Sequence, residues 1–169
     1  SIFKDVGLFD QSLTRNQDDE FNYRLRRAGK KVLFVYDAKG TYQVRGSYPK
    51  ACQQYFQYGY FKVFVNRKHR AVTTMRQLAP PAFVLFWLLS IPAAQKYPEF
   101  GRALWYVIGL YILVGLFMAG EGLSLRKRFE VTLACFFLHM SYGLGYLLGI
   151  VDFYILNRTP RSKLQNQTT

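Results

Sequence analysis

Long apolar stretches occupy most of the second half of the chain. Residues 78–95, 103–120 and 131–151 contain no Lys, Arg, Asp or Glu. A helix that crosses a bilayer needs about 20 mostly apolar residues, and the second and third stretches satisfy that requirement. The first is shorter and carries three prolines, so it predicts either a short span or a re-entrant helix. We therefore expect an all-α membrane region of two to three transmembrane helices.

The first half of the chain has shorter and more mixed patterns. Residues 16–29 predict a helix, because Asn16 is a suitable N-cap, acidic residues fill the first turn and basic residues fill the last. Gly29 suits the left-handed position that ends a helix. Residues 31–36 and 41–44 resemble two short strands joined by a turn. These patterns predict an α+β unit ahead of the membrane region.

An aromatic and basic helix is expected after the strands, from about residue 49. Its composition is typical of a helix that lies in the headgroup layer of a membrane. The predicted organisation is therefore an α+β unit (1–47), an interfacial amphipathic helix with a basic linker (48–77), the transmembrane region (78–156) and a polar tail (157–169).

Composition and charge narrow the class of protein. The 169 residues include 23 Lys and Arg against 10 Asp and Glu, for a formal net charge of +13. Basic residues precede the first apolar stretch and recur at 126–128, which predicts that the N-terminal part and the 121–130 loop are both cytoplasmic. The same charge predicts attraction to anionic membrane lipids. They form no recognised nucleic-acid motif, so no nucleic-acid partner is expected. The two cysteines, Cys52 and Cys135, support neither a disulfide framework nor a zinc site.

Three consecutive carboxylates, Asp18, Asp19 and Glu20, stand out in a chain with few acids. One interpretation is electrostatic, because acids at a helix start complement its dipole. The other is chemical, with one carboxylate as a general base at the edge of a cleft. Successive helix positions point about 100° apart, so the three cannot all line one site.

An amide and aromatic group occurs in the following helix. Gln54 and Gln57 are three residues apart and share a helix face with Tyr58. Such a face could hold a sugar or a pyrophosphate. The alternative is an ordinary headgroup-layer helix with inserted aromatic side chains. The two interpretations are compatible at a membrane surface.

Two features of the third apolar stretch are candidates for helix contacts. Ser141, Gly145 and Gly149 recur every four residues, a spacing that lets helix backbones approach closely in lipid. This pattern permits helix–helix association, although membrane helices also tolerate glycine without such a role. His139 lies mid-stretch, where a neutral, hydrogen-bonded side chain is expected rather than a functional one.

The segment VGLFDQSLTRNQDDEFNYRLRRAGKKV resembles part of the family 2 glycosyltransferases, from an acceptor-site loop through a Glu-Asp motif. Gln17 and Asp18 fall on the Glu-Asp pair, and Glu20 falls on a later acid. Arg24 and Gly29 also match the pattern. The resemblance makes Asp18 the candidate base that deprotonates an acceptor hydroxyl. Because the Glu of the pair is Gln here, Asp19 is a rival.

A second motif supports the same resemblance. Residues 54–58 are similar to the family's Q-[QR]-x-R-W motif, which positions acceptor and donor diphosphate beside the membrane. Gln54 matches, Gln57 replaces Arg and Tyr58 replaces Trp. The loss of Arg removes a fixed positive charge, so the motif implies acceptor stacking on Tyr58 more than diphosphate binding. The order of motifs is similar to succinoglycan-type transferases that build exopolysaccharides.

The resemblance implies a GT-A catalytic domain, of which this chain would hold only the C-terminal portion. The family uses an Asp-x-Asp motif to bind a divalent metal, Mg²⁺ or Mn²⁺, and this chain has none. We therefore expect the metal ligands to lie outside the chain and the fragment alone to be inactive.

The expected activity of the full-length enzyme is inverting transfer of a sugar from a nucleotide-sugar donor. The acceptor would be a lipid-linked saccharide or a polysaccharide in exopolysaccharide or cell-envelope glycan synthesis. The resemblance implies a multi-pass protein of the bacterial inner membrane with its catalytic part in the cytoplasm. The alternative is a non-catalytic basic membrane protein that binds anionic lipid or a protein partner.

Overall fold

The computed structural model describes residues 1–41, 46–161 and 164. Its regular elements are helices: α1 (Ile2–Val6), α2 (Gln17–Arg27), α3 (Tyr48–His69), a 3-10 turn (Met75–Leu78), α4 (Ala79–Lys96), α5 (Pro98–Met118), α6 (Leu125–Ile150) and a π-helical extension of α6 (Val151–Ile155). No strand occurs among these described residues. The prediction of an α+β GT-A fragment is therefore wrong for this chain.

The predicted strands fail because a strand needs a partner. Residues 31–35 are irregular and fully outside the core, with Leu33 and Phe34 each 85% exposed. Their backbone groups meet no neighbouring strand in the described part of the chain, and an isolated strand is not stable in water. Of the second predicted strand, 41–44, only Thr41 is described and it is irregular; residues 42–44 lie outside the described residues.

Helix α2 confirms the prediction for residues 16–29, except in how it is capped. Gly29 has the expected left-handed backbone with φ of 71°. Asn16 occupies the N-cap position, but its side chain does not bond to the helix. Phe21 is buried and stacks on Phe9 with ring centroids 4.6 Å apart. This contact packs α2 against the loop that precedes it.

Helix α3 packs along the C-terminal half of α6, and glycines make the close approach possible. A Cβ at Gly59 would lie 2.9 Å from the backbone N of Tyr146, and one at Gly145 would lie 2.8 Å from the carbonyl carbon of Phe56. Both distances are shorter than ordinary contact, so only glycine fits. Of the two interpretations of the small-residue repeat, a packing face and ordinary glycine tolerance, the contacts of Gly145 favour packing, here within the chain.

Three helices are long and apolar enough to cross a membrane: Met75–Lys96, Pro98–Met118 and Leu125–Ile155. Helix α6 begins six residues earlier than predicted, because Ser124 Oγ caps its first turn by accepting from the backbone N of Lys127 at 3.5 Å. The basic residues at 126–128 thus belong to the helix rather than to a loop.

An aromatic cluster joins these three helices. Phe83 of α4 stacks on Tyr111 of α5 with centroids 5.3 Å apart and meets Phe136 of α6 edge-on at 5.7 Å. His139 is hydrogen-bonded, as expected, through Nδ1 and the Tyr111 hydroxyl at 3.3 Å.

The end of α6 and the residues after it fold back onto α3. Tyr60 is fully buried, and its hydroxyl donates to Asp152 Oδ2 at 2.9 Å. Arg161 donates two hydrogen bonds to the same carboxylate, from Nε at 2.6 Å and from a terminal nitrogen at 2.8 Å. Arg67 of α3 bonds to the Asn157 side chain. The tail therefore lies beside α3.

Candidate functional site

An open hollow of about 340 Å³ lies where the loop before α2 meets α3. It is lined by Phe9, Thr14, Arg15, Asn16, Gln17, Asp18 and Tyr58. Asn16 fixes the loop to α3, since its side-chain amide donates to the Tyr58 carbonyl at 3.0 Å. Its left-handed backbone, with φ of 62°, turns the chain into α2 at this point. The hollow is thus built from two segments about 40 residues apart in sequence.

Adjacent carboxylates of α2 have different surroundings. Asp18 is exposed at the hollow and has no side-chain partner among the described residues. Asp19 is only 38% exposed at its side chain and forms an ion pair with Lys62 of α3. The Lys62 side chain is 6% exposed, so the pair is partly desolvated. The helical turn between the two residues sends one side chain to the hollow and the other to α3.

Gln54 and Tyr58 come together on the α3 side of the hollow. They are four residues apart, one helical turn, and the Gln54 amide donates to the Tyr58 hydroxyl. This bond holds the Tyr58 hydroxyl, and Tyr58 lines the hollow with Asp18. The arrangement can present a flat apolar face beside a carboxylate, which suits a sugar ring with a reactive hydroxyl.

Gln57 points away from the open space. It is 1% exposed, its Oε1 accepts from Arg15 Nε at 3.0 Å and its Nε2 donates to the Leu164 carbonyl at 3.3 Å. Both polar ends of the side chain are thus occupied by the protein. Its predicted substrate-binding role stays a prediction, and its geometry favours support of Arg15.

Glu20 is buried below α2. Its carboxylate is fully enclosed and accepts from Arg24 Nε at 2.9 and 3.0 Å, with His69 Nε2 2.8 Å from one oxygen. Arg24 also donates to the carbonyl of Leu8 at 2.7 Å. This network joins α2, the end of α3 and the N-terminal loop. Substrate binding by Glu20 stays a prediction, and its burial favours a structural role.

Asp10 and Lys68 form another link between the N-terminal loop and α3. Burial alone would raise the pKa of the Asp10 carboxyl, but hydrogen bonds from Lys68 and Ser12 outweigh it and hold the pKa below its usual value. The loop that carries the hollow is therefore anchored to α3 by the Asp10–Lys68 ion pair and by the bond from Asn16 to the Tyr58 carbonyl.

The structure thus brings Asp18 and Tyr58 to one hollow, with Gln54 bonded to Tyr58 but not lining the hollow. Asp19, Glu20 and Gln57 have protein partners instead. Sequence reasoning missed Arg15 and Lys62, which contact residues 42 and 43 positions away. The signal was weak: both are ordinary basic residues in a chain of net charge +13.

The described residues offer no set of metal ligands. Within the described residues, no group of three or more His, Cys, Asp or Glu side chains is placed to hold a metal ion. These residues therefore do not fit the divalent metal that the resemblance implies, and no chemical step is assigned to it.

Comparison with known proteins gives a distant match. No protein-family model matches the chain, and no solved structure matches it. The chain is similar to succinoglycan biosynthesis protein ExoA of Rhizobium meliloti (strain 1021), with 26% identity over 162 residues. The match covers 89% of this chain and 45% of that protein, so the chain spans about half the length of the curated relative. The predicted similarity to exopolysaccharide-synthesis proteins is supported, whereas membership of glycosyltransferase family 2 stays a prediction.

Proposed function

We propose that this chain is the acceptor-side, membrane-associated part of a glycosyltransferase that acts in exopolysaccharide or cell-envelope glycan synthesis. The similarity to a succinoglycan biosynthesis protein supports this role. Three helices of membrane-spanning length fit an enzyme that works beside a bilayer, on a lipid-linked saccharide or a growing polysaccharide. The donor would be a nucleotide sugar bound mainly by residues outside this chain.

Asp18 is the proposed general base, and the contrast with Asp19 is the observation that carries this proposal. A base must reach the acceptor hydroxyl within about 3 Å, directly or through one water. Asp18 faces the hollow and has no partner among the described side chains, whereas Asp19 is held by Lys62. The unpaired carboxylate is the one free to accept a proton.

The proposed reaction is a single inverting displacement. The acceptor hydroxyl gives its proton to an Asp18 carboxylate oxygen while the hydroxyl oxygen forms a bond to the anomeric carbon of the donor sugar. The bond from that carbon to the nucleoside diphosphate breaks, and the diphosphate leaves with the electron pair. Tyr58 would hold the acceptor sugar by stacking, with its ring oriented by Gln54.

The experiment is a transfer assay with the whole natural protein in membranes. A panel of radiolabelled nucleotide sugars is offered, and label in the lipid or polysaccharide fraction is counted. We expect one donor to be used and Asp18→Asn to lower turnover by about 100-fold to 10,000-fold, the usual contribution of a positioned base. Asp37→Asn is the matched control, since it makes the same change of carboxylate to amide at an exposed position outside the hollow. Normal turnover by Asp18→Asn would remove Asp18 from this role.

A second candidate function is favoured by the charge of the chain. A protein of net charge +13 with three apolar helices would adhere to anionic lipid without any chemistry. Failure of the whole protein to transfer any sugar, together with strong binding to anionic vesicles, would favour that alternative.

A further inference from the structure

Arg15 supplies a positive charge to the hollow, although Gln57 stands where the family's Q-[QR]-x-R-W motif has an arginine. Its side chain lines the hollow with Asp18 and Tyr58. It is the single basic residue among the seven lining residues. Among the described residues it forms no ion pair with a carboxylate, so its charge is not neutralised there.

The guanidinium is held at one end only. Nε donates to the buried Oε1 of Gln57, and Gln57 is itself fixed by its bond to the Leu164 carbonyl. An arginine carries five N–H donors in a rigid plane. The four donors on the terminal nitrogens have no partner among the residues that the structure describes. A preoriented guanidinium with free donors is suited to bidentate contact with a phosphate.

We propose that Arg15 binds a phosphate or diphosphate group of the substrate and that Gln57 is its positioning residue. This inference rests on the proposed function, since it assigns the phosphate to the substrate of the same hollow. Gln57 provides a neutral oxygen, so it orients the guanidinium without cancelling its charge. A carboxylate at the same place would neutralise it.

Two sources could supply the phosphate: a nucleoside diphosphate from solution or a lipid-linked diphosphate from the membrane. Both present the same oxygens to Arg15. The test therefore uses uridine diphosphate and farnesyl diphosphate as separate probes, with the whole natural protein in phosphatidylcholine nanodiscs that carry no net anionic lipid. Affinity is measured by titration calorimetry.

The variants separate charge from structure. Arg15→Gln removes the charge and should weaken binding of at least one probe by about tenfold to a hundredfold, the usual loss for a charge-assisted hydrogen-bond pair. Gln57→Glu keeps the oxygen that accepts from Arg15 but neutralises the guanidinium, so it should weaken binding to a similar degree. Arg15→Lys keeps a point charge and should fall between. Arg26→Gln, an exposed change at the far end of α2, is the control.

The outcomes are distinct. Loss confined to farnesyl diphosphate identifies the membrane source, and loss confined to uridine diphosphate identifies the soluble one. Equal affinity of Arg15→Gln and Arg26→Gln, or no binding of either probe by the unaltered whole protein, would overturn the inference. Asp18→Asn should retain probe binding while it loses sugar transfer. The proposal that Arg15 binds phosphate can therefore be refuted while the proposal that Asp18 is the base stands, and the reverse also holds.

A separate observation bears on how the chain crosses the membrane. Helix α3 and the tail lie at the same end of α6, because Tyr60 and Arg161 both bond to Asp152 and Arg67 bonds to Asn157. The crossings between α3 and the tail must then be even in number. Three helices are long enough to cross, so we infer that one of them does not.

Helix α4 is the one that fits this description. Its α-helical part has 18 residues, about 27 Å, and is the shortest of the three. Pro92 lies inside the helix, and the Pro80 carbonyl abuts Gly143, so α4 starts beside the C-terminal half of α6 rather than at its end. We infer that α5 and α6 cross and that α4 does not, which places the basic residues 126–128 on the face opposite α3, against the positive-inside expectation for that loop.

Cysteine labelling tests this arrangement. Cys52 and Cys135 are replaced by Ser, and single cysteines are introduced by Lys39→Cys, Tyr97→Cys, Glu121→Cys or Thr159→Cys, all at exposed positions. Sealed vesicles of each orientation are treated with an impermeant maleimide. Positions 39, 97 and 159 should react from one face and position 121 from the other. Reaction of 159 from the face opposite 39 would overturn the even count, and reaction of 97 from the face opposite 39 would overturn the assignment to α4.

Discussion

The contact between α3 and α6 predicts that alanine is not tolerated at Gly145. A Cβ there would lie 2.8 Å from the carbonyl carbon of Phe56 and closer still to its oxygen, at least 0.6 Å short of the 3.4 Å at which ordinary contact begins. The obstructing atoms are backbone, so they cannot rotate away. The two helices must separate or shift.

The cost of that shift follows from what the interface holds. Overpacking alone costs about 1–3 kcal/mol. Separation would also stretch the buried bond between Asn66 and the Tyr146 hydroxyl, now 3.1 Å, and a buried polar group left unpaired costs about 1–3 kcal/mol more. We therefore expect Gly145→Ala to lower the free energy of unfolding by about 2–6 kcal/mol.

The assay is reversible denaturation in detergent micelles, followed by far-ultraviolet circular dichroism. Gly109→Ala is the matched control, since a Cβ at Gly109 on α5 meets nothing within 4 Å. Alanine favours a helix over glycine, so this control should be neutral or slightly stabilising. If Gly145→Ala unfolds at the same denaturant concentration as Gly109→Ala, the close packing of α3 on α6 is refuted.

Three further predictions follow from buried or paired charges. Lys62→Met should lower the free energy of unfolding by about 1–3 kcal/mol, because it leaves Asp19 half-buried without a cation, and Lys62→Arg should restore most of it in the same denaturation assay. Burial, aided by the bond to Asp152, raises the pKa of Tyr60 to about 12. The neutral hydroxyl therefore stabilises the fold fully below pH 10, and this stabilisation is lost as the pH rises through 12. In pH-dependent unfolding, Tyr60→Phe should flatten the alkaline loss of stability, and an unchanged alkaline loss would contradict the prediction. Because the pKa of Asp10 is lowered in the folded protein, its ionised carboxylate stabilises the fold above about pH 4. This stabilisation is lost as the pH falls through the folded pKa. Asp10→Asn should therefore reduce the loss of stability at acid pH in the same measurement, and a larger acid loss would contradict the prediction.

Much of the helical architecture could be predicted from local patterns. The apolar stretches gave three helices of sufficient length, and Gly29 ended α2 in the expected conformation. The strand prediction for 31–36 was wrong, because an apolar run indicates a strand only when another strand is present to satisfy its backbone. Local pattern carries no information about that partner.

The candidate site was predictable only in part, because its decisive contacts are non-local. The acids of α2 were visible in the sequence, but not which of them is free. That choice is made by Lys62, 43 residues after Asp19. The support of Arg15 by Gln57 spans 42 residues and needs α3 to be packed in its final place. Spacing along one helix predicts which side chains share a face, not which distant side chain meets them.

The most direct test of the account compares two isosteric changes at neighbouring positions. Turnover of a nucleotide sugar by the whole protein in membranes is measured for Asp18→Asn and Asp19→Asn side by side, at matched expression and saturating donor. The account predicts that Asp18→Asn loses about 100-fold or more while Asp19→Asn retains most of the activity, since only Asp18 is free at the hollow. Retained turnover in Asp18→Asn, with the loss in Asp19→Asn instead, would contradict it.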